Sequence, residues 1–121
     1  MPVNRWLSVA AVNGALAVMA GAFAVHALKS ALPGAMLEVF RVGAQYHLTH
    51  ALALGLAALV PGVWAKRAAW LFFAGIVLFS GSLYALALTR IHAIGMATPF
   101  GGLALILGWF ALAIAGWKRQ G

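Results

Sequence analysis

Four long apolar runs dominate the pattern of the chain, separated by short stretches with charged residues, proline and glycine. Each run is close to the roughly 20 mostly apolar residues that a helix needs to cross a bilayer core. The pattern therefore predicts four transmembrane helices with short connections. They extend from Trp6 to Leu28, Gly43 to Val60, Ala68 to Thr89 and Thr98 to Trp117.

Small residues recur along the first and fourth runs at spacings of three and four. Such seams let membrane helices pack closely, because lipid leaves little hydrophobic force between helices. The first seam contains Ala10, Gly14, Ala17, Gly21 and Ala24, and the fourth contains Gly101, Ala104, Gly108, Ala111 and Ala115. We predict an all-α membrane protein, a four-transmembrane-helix bundle that forms one domain over residues 1–121.

The composition agrees with a membrane protein. Hydrophobic residues make up 65% of the chain and charged residues 7%, whereas soluble domains have about 25% charged residues. The formal charge of +7 arises from eight Lys and Arg against one acid, Glu38. The basic residues flank the apolar runs, where such residues contact lipid headgroups. We therefore expect membrane lipids, and no nucleic acid, as partners.

The distribution of basic residues predicts the orientation. With four spans both termini lie on one side, and the side with more Lys and Arg is normally cytoplasmic. The terminal side would hold Arg5, Lys66, Arg67, Lys118 and Arg119, and the opposite side Lys29, Arg41 and Arg90. Five basic residues against three predict that both termini are cytoplasmic. The chain contains no cysteine, which removes thiolate chemistry and sulfur-based metal sites.

Polar residues interrupt the second run in the stretch QYHLTHALALG, residues 45–55. Counted at about 1.5 Å per residue, they and the polar residues of the other runs fall in the outer half of the membrane. Tyr46, His47 and His50 lie within an arc of about 100° around the helix, so they can face one partner together. The predicted outer-leaflet cluster contains His26, Tyr46, His50, Ser80, Ser82, Tyr84 and Thr98, with the backbone of Gly101 and Gly102.

Four motifs in this order resemble the small membrane proteins of the domain-of-unknown-function 423 family. They are GAFAVHAL from Gly21, QYHLTHALAL from Gln45, LFSGSLYALAL from Leu78 and TPFGG from Thr98. The resemblance covers nearly the whole chain. It implies a four-span, multi-pass protein of the bacterial cytoplasmic (inner) membrane, without an assigned activity and without catalytic residues to transfer.

The chain departs from the family pattern at two places. The family tends to have Gly and Ala where this chain has Ala24 and Val25, and Gln where this chain has His47. A site that required His47 as a ligand would therefore not be a property of the family.

The favoured functional interpretation is a structural or accessory subunit. Its polar cluster would hold the helices together, and its partners would be further copies of itself, as a homo-oligomer, or a larger membrane protein complex. Each buried polar group needs a hydrogen-bond partner inside a membrane, so a purely structural cluster is reasonable. We predict no catalytic activity, because the chain has no acid to orient a His50 and Ser80 pair.

Two alternatives remain open at this stage. The cluster would bind a lipid headgroup, a quinone or a haem, with His26 and His50, or His47, as axial ligands; these three histidines are also the only weak candidates for a metal site. Otherwise the chain would transport a small molecule with protons. In that case His50 is the only candidate proton carrier, since the spans contain no carboxylate.

Overall fold

The computed structural model describes residues 3–118, which form helices joined by short connections, with no strand in this range. The five α-helices are α1 (Arg5–His26), α2 (Gly34–Leu59), α3 (Val63–Gly75), α4 (Gly81–Thr89) and α5 (Thr98–Lys118). A π segment, Ile76–Ser80, joins α3 and α4 into one rod, and 3₁₀ turns cover Leu28–Ser30 and His92–Ala97. Arg119, which contributes to the predicted orientation, lies outside the described residues.

Local signals explain where the helices begin. The side-chain oxygen of Asn4 accepts a hydrogen bond from the Leu7 amide at 3.0 Å, which satisfies one of the free amides at the start of α1. Pro33 immediately precedes α2, where the missing proline N–H costs nothing. Gly62 has a φ of 105° just before α3, a conformation that favours glycine.

Three of the four helical rods are long and apolar enough to cross a membrane. They are Arg5–His26, Val63–Thr89 and His92–Lys118. The fourth, α2, has 26 residues, but its polar residues lower its hydropathy. It also begins nine residues before the predicted span at Gly43. The prediction counted only apolar residues, whereas charged residues such as Glu38 and Arg41 can also be part of a helix outside the lipid.

Neighbouring rods run in opposite directions. The Asn4 side-chain amide donates to the Ala58 carbonyl at 3.0 Å, which joins the start of α1 to the end of α2. The Trp64 ring lies 5.9 Å from the Lys118 ammonium, which joins the start of α3 to the end of α5. The start of α1 and the end of α5 therefore lie at one end of the molecule, here called the terminal end. The opposite end is called the far end.

The helix α2 lies at the centre of the packing. It packs against α1 on one side and against α3 and α4 on the other, while α5 packs mainly on α3 and the π segment. The larger apolar cluster includes the completely buried side chains of Leu54 and Phe72. A smaller cluster at the far end contains Ala24, Leu28, Phe40 and Ala87.

The small-residue seam of α5 packs closely against the rod formed by α3 and α4. A Cβ on Gly101 would overlap the backbone of Leu78 and Phe79, and one on Gly108 would lie 2.7 Å from the Phe72 ring. Four of the five predicted seam residues are buried: Gly101, Gly108, Ala111 and Ala115. Ala104 is only half-buried.

The seam of α1 differs from the prediction. Ala10, Ala17 and Ala24 are buried, but a Cβ on Gly14 or Gly21 would meet nothing within 4 Å. The reason is that α2 is the main neighbour of α1. The contact between the two helices needs only one small residue every two turns, and Ala10, Ala17 and Ala24 provide these residues. The two glycines lie beside this line of contact rather than on it, and their Cβ positions are open.

The π segment interrupts the third rod near its middle. The Gly81 amide donates to the Ile76 carbonyl, five residues back, so the turn is wider than an α-helical turn. Wide turns of this kind are frequent at functional sites. The sequence pattern predicts only a continuous helix here.

Candidate functional site

His47 forms a hydrogen-bonded network that crosses three helices. Its buried ring lies on α2, with Nδ1 2.9 Å from the Tyr84 hydroxyl of α4. Its Nε2 lies 2.9 Å from the side-chain oxygen of Asn13 on α1. The Asn13 amide nitrogen in turn donates to the Val9 carbonyl at 2.9 Å. We call Asn13, His47 and Tyr84 the His47 network.

The partners determine which ring nitrogen of His47 has the proton. The Asn13 nitrogen is used on the Val9 carbonyl, so the Asn13 oxygen faces the ring and must accept. His47 Nε2–H therefore donates to Asn13, and Nδ1 accepts from the Tyr84 hydroxyl. The ring is a neutral imidazole, and both of its nitrogens are engaged.

His50 is buried one turn further along α2 and bonds to a different helix. Its Nδ1 lies 2.7 Å from the Tyr46 carbonyl, and its Nε2 lies 3.1 Å from the indole nitrogen of Trp109 on α5. Indole N–H only donates and a carbonyl only accepts. His50 therefore has its proton on Nδ1, the opposite tautomer to His47. We call His50 and Trp109 the His50 pair.

Aromatic rings surround the His50 pair. The Tyr46 ring stacks on His50 with an interplanar angle of 12°, and the Phe72 ring contacts both Trp109, at a centroid distance of 5.2 Å, and His50, at 5.9 Å. Phe79 of the π segment packs on Tyr46 at 4.8 Å. The two neutral histidines thus lie in apolar surroundings in which each polar nitrogen has a partner, as burial requires.

A third polar group joins α4 to the start of α5. The Ser82 hydroxyl donates to the Phe79 carbonyl at 2.9 Å and lies 2.5 Å from the Thr98 hydroxyl, so the Thr98 hydroxyl donates to Ser82. Ser80 lies beside this group, 1% exposed. Its hydroxyl has no hydrogen-bond partner among the described residues.

The structure separates the residues predicted to form one cluster. Tyr84 belongs to the His47 network, Tyr46 lies beside the His50 pair, and Ser82 with Thr98 forms the third group. His26 is exposed near the far end of α1. It lies 13 residues beyond Asn13, which is about 20 Å along the helix, so His26 is far from both buried histidines.

The predicted backbone approach at Gly101 and Gly102 exists, but its partner is the protein itself. Gly101 brings α5 against the backbone of the π segment, and a Cβ on Gly102 would lie 3.6 Å from the Phe79 ring. The glycines therefore allow close helix packing at this point. Across residues 3–118, no three His, Asp or Glu side chains come close enough to share a metal ion.

Three residues of these groups are absent from the predicted cluster: Asn13, Trp109 and His47, although the sequence predicts that His47 shares an arc with Tyr46 and His50. Asn13 is a single amide within an apolar run, between Val12 and Gly14, and a buried amide needs partners. That isolation was an available signal. For Trp109 the sequence indicates only a deep position, because which neighbour an indole meets depends on how α5 is rotated against α2.

The geometry defines a class of protein. Long apolar helices, basic residues at their ends and polar side chains bonded to one another between the helices are the features of a small integral membrane protein. The family described as "Protein of unknown function (DUF423)" matches residues 20–102. This is more than half of the chain, and the chain belongs to this family, as the motifs predict.

Bacterial relatives match along nearly the full length. The chain is 45% identical over 113 residues to the UPF0382 membrane protein YwdK of Bacillus subtilis, covering 89% of this chain and 92% of the relative. It is 37% identical over 120 residues to a UPF0382 membrane protein of Haemophilus influenzae, with 97% of each chain covered. No solved structure matches the chain.

Proposed function

We propose that this chain is a four-span protein of the bacterial cytoplasmic membrane with a structural or accessory role and no catalytic activity. The observation behind the proposal is that both buried histidines have both ring nitrogens bonded to groups of the same chain. A metal or haem ligand would need a ring nitrogen that is free to bind. Here three of the four nitrogens bond to other helices, and the fourth bonds to the Tyr46 carbonyl of α2 itself.

The placement of polar residues on α2 supports the fourth span. The helix has 26 residues, about 39 Å at 1.5 Å per residue, which exceeds the bilayer core of about 30 Å. His47 and His50, which lower its hydropathy, are buried against other helices. The low hydropathy of α2 therefore comes partly from residues that lipid would not contact.

The same charge count that predicts the orientation applies to the two ends of the molecule. Arg5, Lys66, Arg67 and Lys118 belong to the terminal end, and Lys29, Arg41 and Arg90 to the far end. The positive-inside rule then favours a cytoplasmic terminal end. The small size of the chain supports the predicted partners, which are further copies of the chain or a larger membrane protein complex. Almost no surface would remain outside the lipid, so a partner would have to contact the helices within the membrane.

A small-molecule site is the second candidate, and Ser80 is the observation that favours it. Its fully buried hydroxyl has no partner among residues 3–118, and it ends the π segment two residues before Ser82. A buried hydroxyl without a partner is costly, and a bound polar group would remove that cost. The candidate ligands are those of the sequence analysis: a lipid headgroup, a quinone or a haem.

Native mass spectrometry of the protein, released gently from its own membranes, tests the structural role. We expect the chain to leave the membrane with further copies of itself or with another membrane protein at fixed stoichiometry. A bare monomer would contradict the accessory role. A stoichiometric small mass that is retained by the unaltered chain, but lost in the Ser80→Ala or His50→Ala variant, would favour the second candidate instead.

A further inference from the structure

A long groove follows the line where α1 and α2 meet on the outside of the molecule. Its terminal section has a volume of about 360 Å³ and its far section about 520 Å³. Leu48 lines both sections, which together extend along α1 from Leu7 to His26. The glycines of the α1 seam lie in it, Gly14 in the terminal section and Gly21 in the far section.

The two sections differ in charge. The residues of the terminal section are all apolar or small, whereas the far section also contains His26, Arg41 and Gln45. Arg41 is exposed and Glu38, the only acid of the chain, does not line the groove. The far section is therefore an apolar groove with one end that is cationic and can form hydrogen bonds.

The length of the far section matches one leaflet. Ala17 and His26 line it nine residues apart, about 14 Å along α1, and half of a bilayer core of about 30 Å is about 15 Å. Its polar end, near the far end of the helices, is then at the depth of lipid headgroups. A guanidinium offers paired donors that suit phosphate oxygens.

We propose that the far section of the groove is a binding site for an anionic phospholipid. One acyl chain lies along Gly21, where the missing side chain leaves space, and the phosphate is bound by Arg41 with His26 and Gln45 as further partners. The site is separate from the buried histidines, so it does not depend on the structural role proposed for them. It assigns a function to Gly21, which lies beside the line of contact between α1 and α2.

The test compares two lipids with identical chains, dioleoyl phosphatidylglycerol and dioleoyl phosphatidylcholine, titrated onto the detergent-purified protein in native mass spectrometry. We expect tighter binding of the anionic lipid. Arg41→Gln should weaken its binding about five-fold, since a basic residue near a membrane surface contributes about 1 kcal/mol with anionic lipid. Arg90→Asn removes one charge from the same end of the molecule, outside the groove, and should bind as the unaltered chain does.

A matched pair of glycine variants tests the position of the acyl chain. Both glycines have open space at Cβ, and leucine favours a helix over glycine by almost 1 kcal/mol, so both variants should fold. We expect Gly21→Leu to lose binding of both lipids and Gly14→Leu to retain it. A thermal melt of each variant in detergent confirms folding.

Three results would overturn the proposal. The first is equal binding of the two lipids by the unaltered chain, and the second is undiminished binding by Gly21→Leu. The third is a dimer that Gly21→Leu converts to a monomer without any change in lipid binding, because the groove would then hold a second copy of the chain. Loss of binding on His50→Ala, with Gly21→Leu unaffected, would instead place the lipid at the buried histidines.

Discussion

At the scale of single residues, the two buried histidines illustrate how a polar ring is accommodated in a membrane interior. They are three residues apart on α2, yet they bond in different directions, and their protons lie on different nitrogens. The partners impose this difference: a phenol and an amide oxygen at His47, a carbonyl and an indole at His50. Each ring thereby links α2 to a different part of the molecule.

Replacement of the indole tests the His50 pair. Trp109→Phe keeps an aromatic ring against His50 and Phe72 but removes the donor to Nε2. We expect the free energy of unfolding in detergent to fall by about 0.6–2 kcal/mol, the range for hydrogen bonds between membrane helices. The ¹⁵N signals of His50 should also lose the pattern of a single Nδ1–H tautomer.

Trp117→Phe provides the control on the same helix. Trp117 is 89% exposed, so its replacement should leave both the stability and the His50 signals close to those of the unaltered chain. Equal effects of the two substitutions would show that the Trp109 hydrogen bond contributes nothing to stability.

The sequence predicts the position of these residues better than their partners. The helical period of 100° per residue places Tyr46, His47 and His50 on one arc, and all three do face neighbouring helices or rings. Their partners Asn13 and Trp109 were not predictable, because they depend on how α1 and α5 are rotated and shifted against α2. Neither rotation nor shift has a signature in a single sequence.

At the scale of helices, α5 approaches the π segment so closely that Gly101 has no room for a side chain. Gly101→Ala should destabilise the protein, because the added Cβ would overlap backbone atoms of Leu78 and Phe79, and backbone cannot move aside as a side chain does. Gly116→Ala lies on the same helix, with nothing within 4 Å of the new Cβ. It should stabilise the helix by up to about 1 kcal/mol through propensity alone.

Unfolding of both variants in a common detergent, followed by circular dichroism, measures this difference. The expected order of stability is Gly116→Ala, then the unaltered chain, then Gly101→Ala. If Gly101→Ala were as stable as the unaltered chain, α5 would not approach the π segment as closely as described.

The elements themselves are largely predictable. Apolar runs and turn residues predict the four rods, and Pro33 marks the start of α2. The π segment is not predictable, because a wide turn uses the same residue types as an α-helix. Its position follows from packing against Gly101, a contact between residues more than 20 positions apart in sequence.

At the scale of the whole molecule, the number of spans determines where the loops lie. Because the chain has no cysteine, single cysteines report sidedness without background. With four spans, Ser30→Cys should react with a membrane-impermeant thiol reagent on intact cells, and Lys66→Cys should react only after permeabilisation. Both positions are exposed, so lack of reaction reflects the membrane and not burial.

Reaction of Lys66→Cys on intact cells would exclude cytoplasmic termini, and reaction of both variants would show that α2 does not cross the membrane. The class of protein and its family could be predicted from the hydropathy and the four motifs. Which helices pack against one another could not be predicted. A central α2, with α1 resting mainly on it, follows from side-chain shapes at contacts that lie far apart along the chain.

The π segment also determines which side of α4 meets the rest of the protein. Its wide turn holds one residue more than an α-helical turn, and each residue rotates a helix by about 100°. A relative without that residue would have a rod shorter by only about 1.5 Å, but its Tyr84 equivalent would be turned away from His47. In an alignment, a single gap within residues 76–80 would therefore indicate that α4 is rotated by about 100° relative to α3.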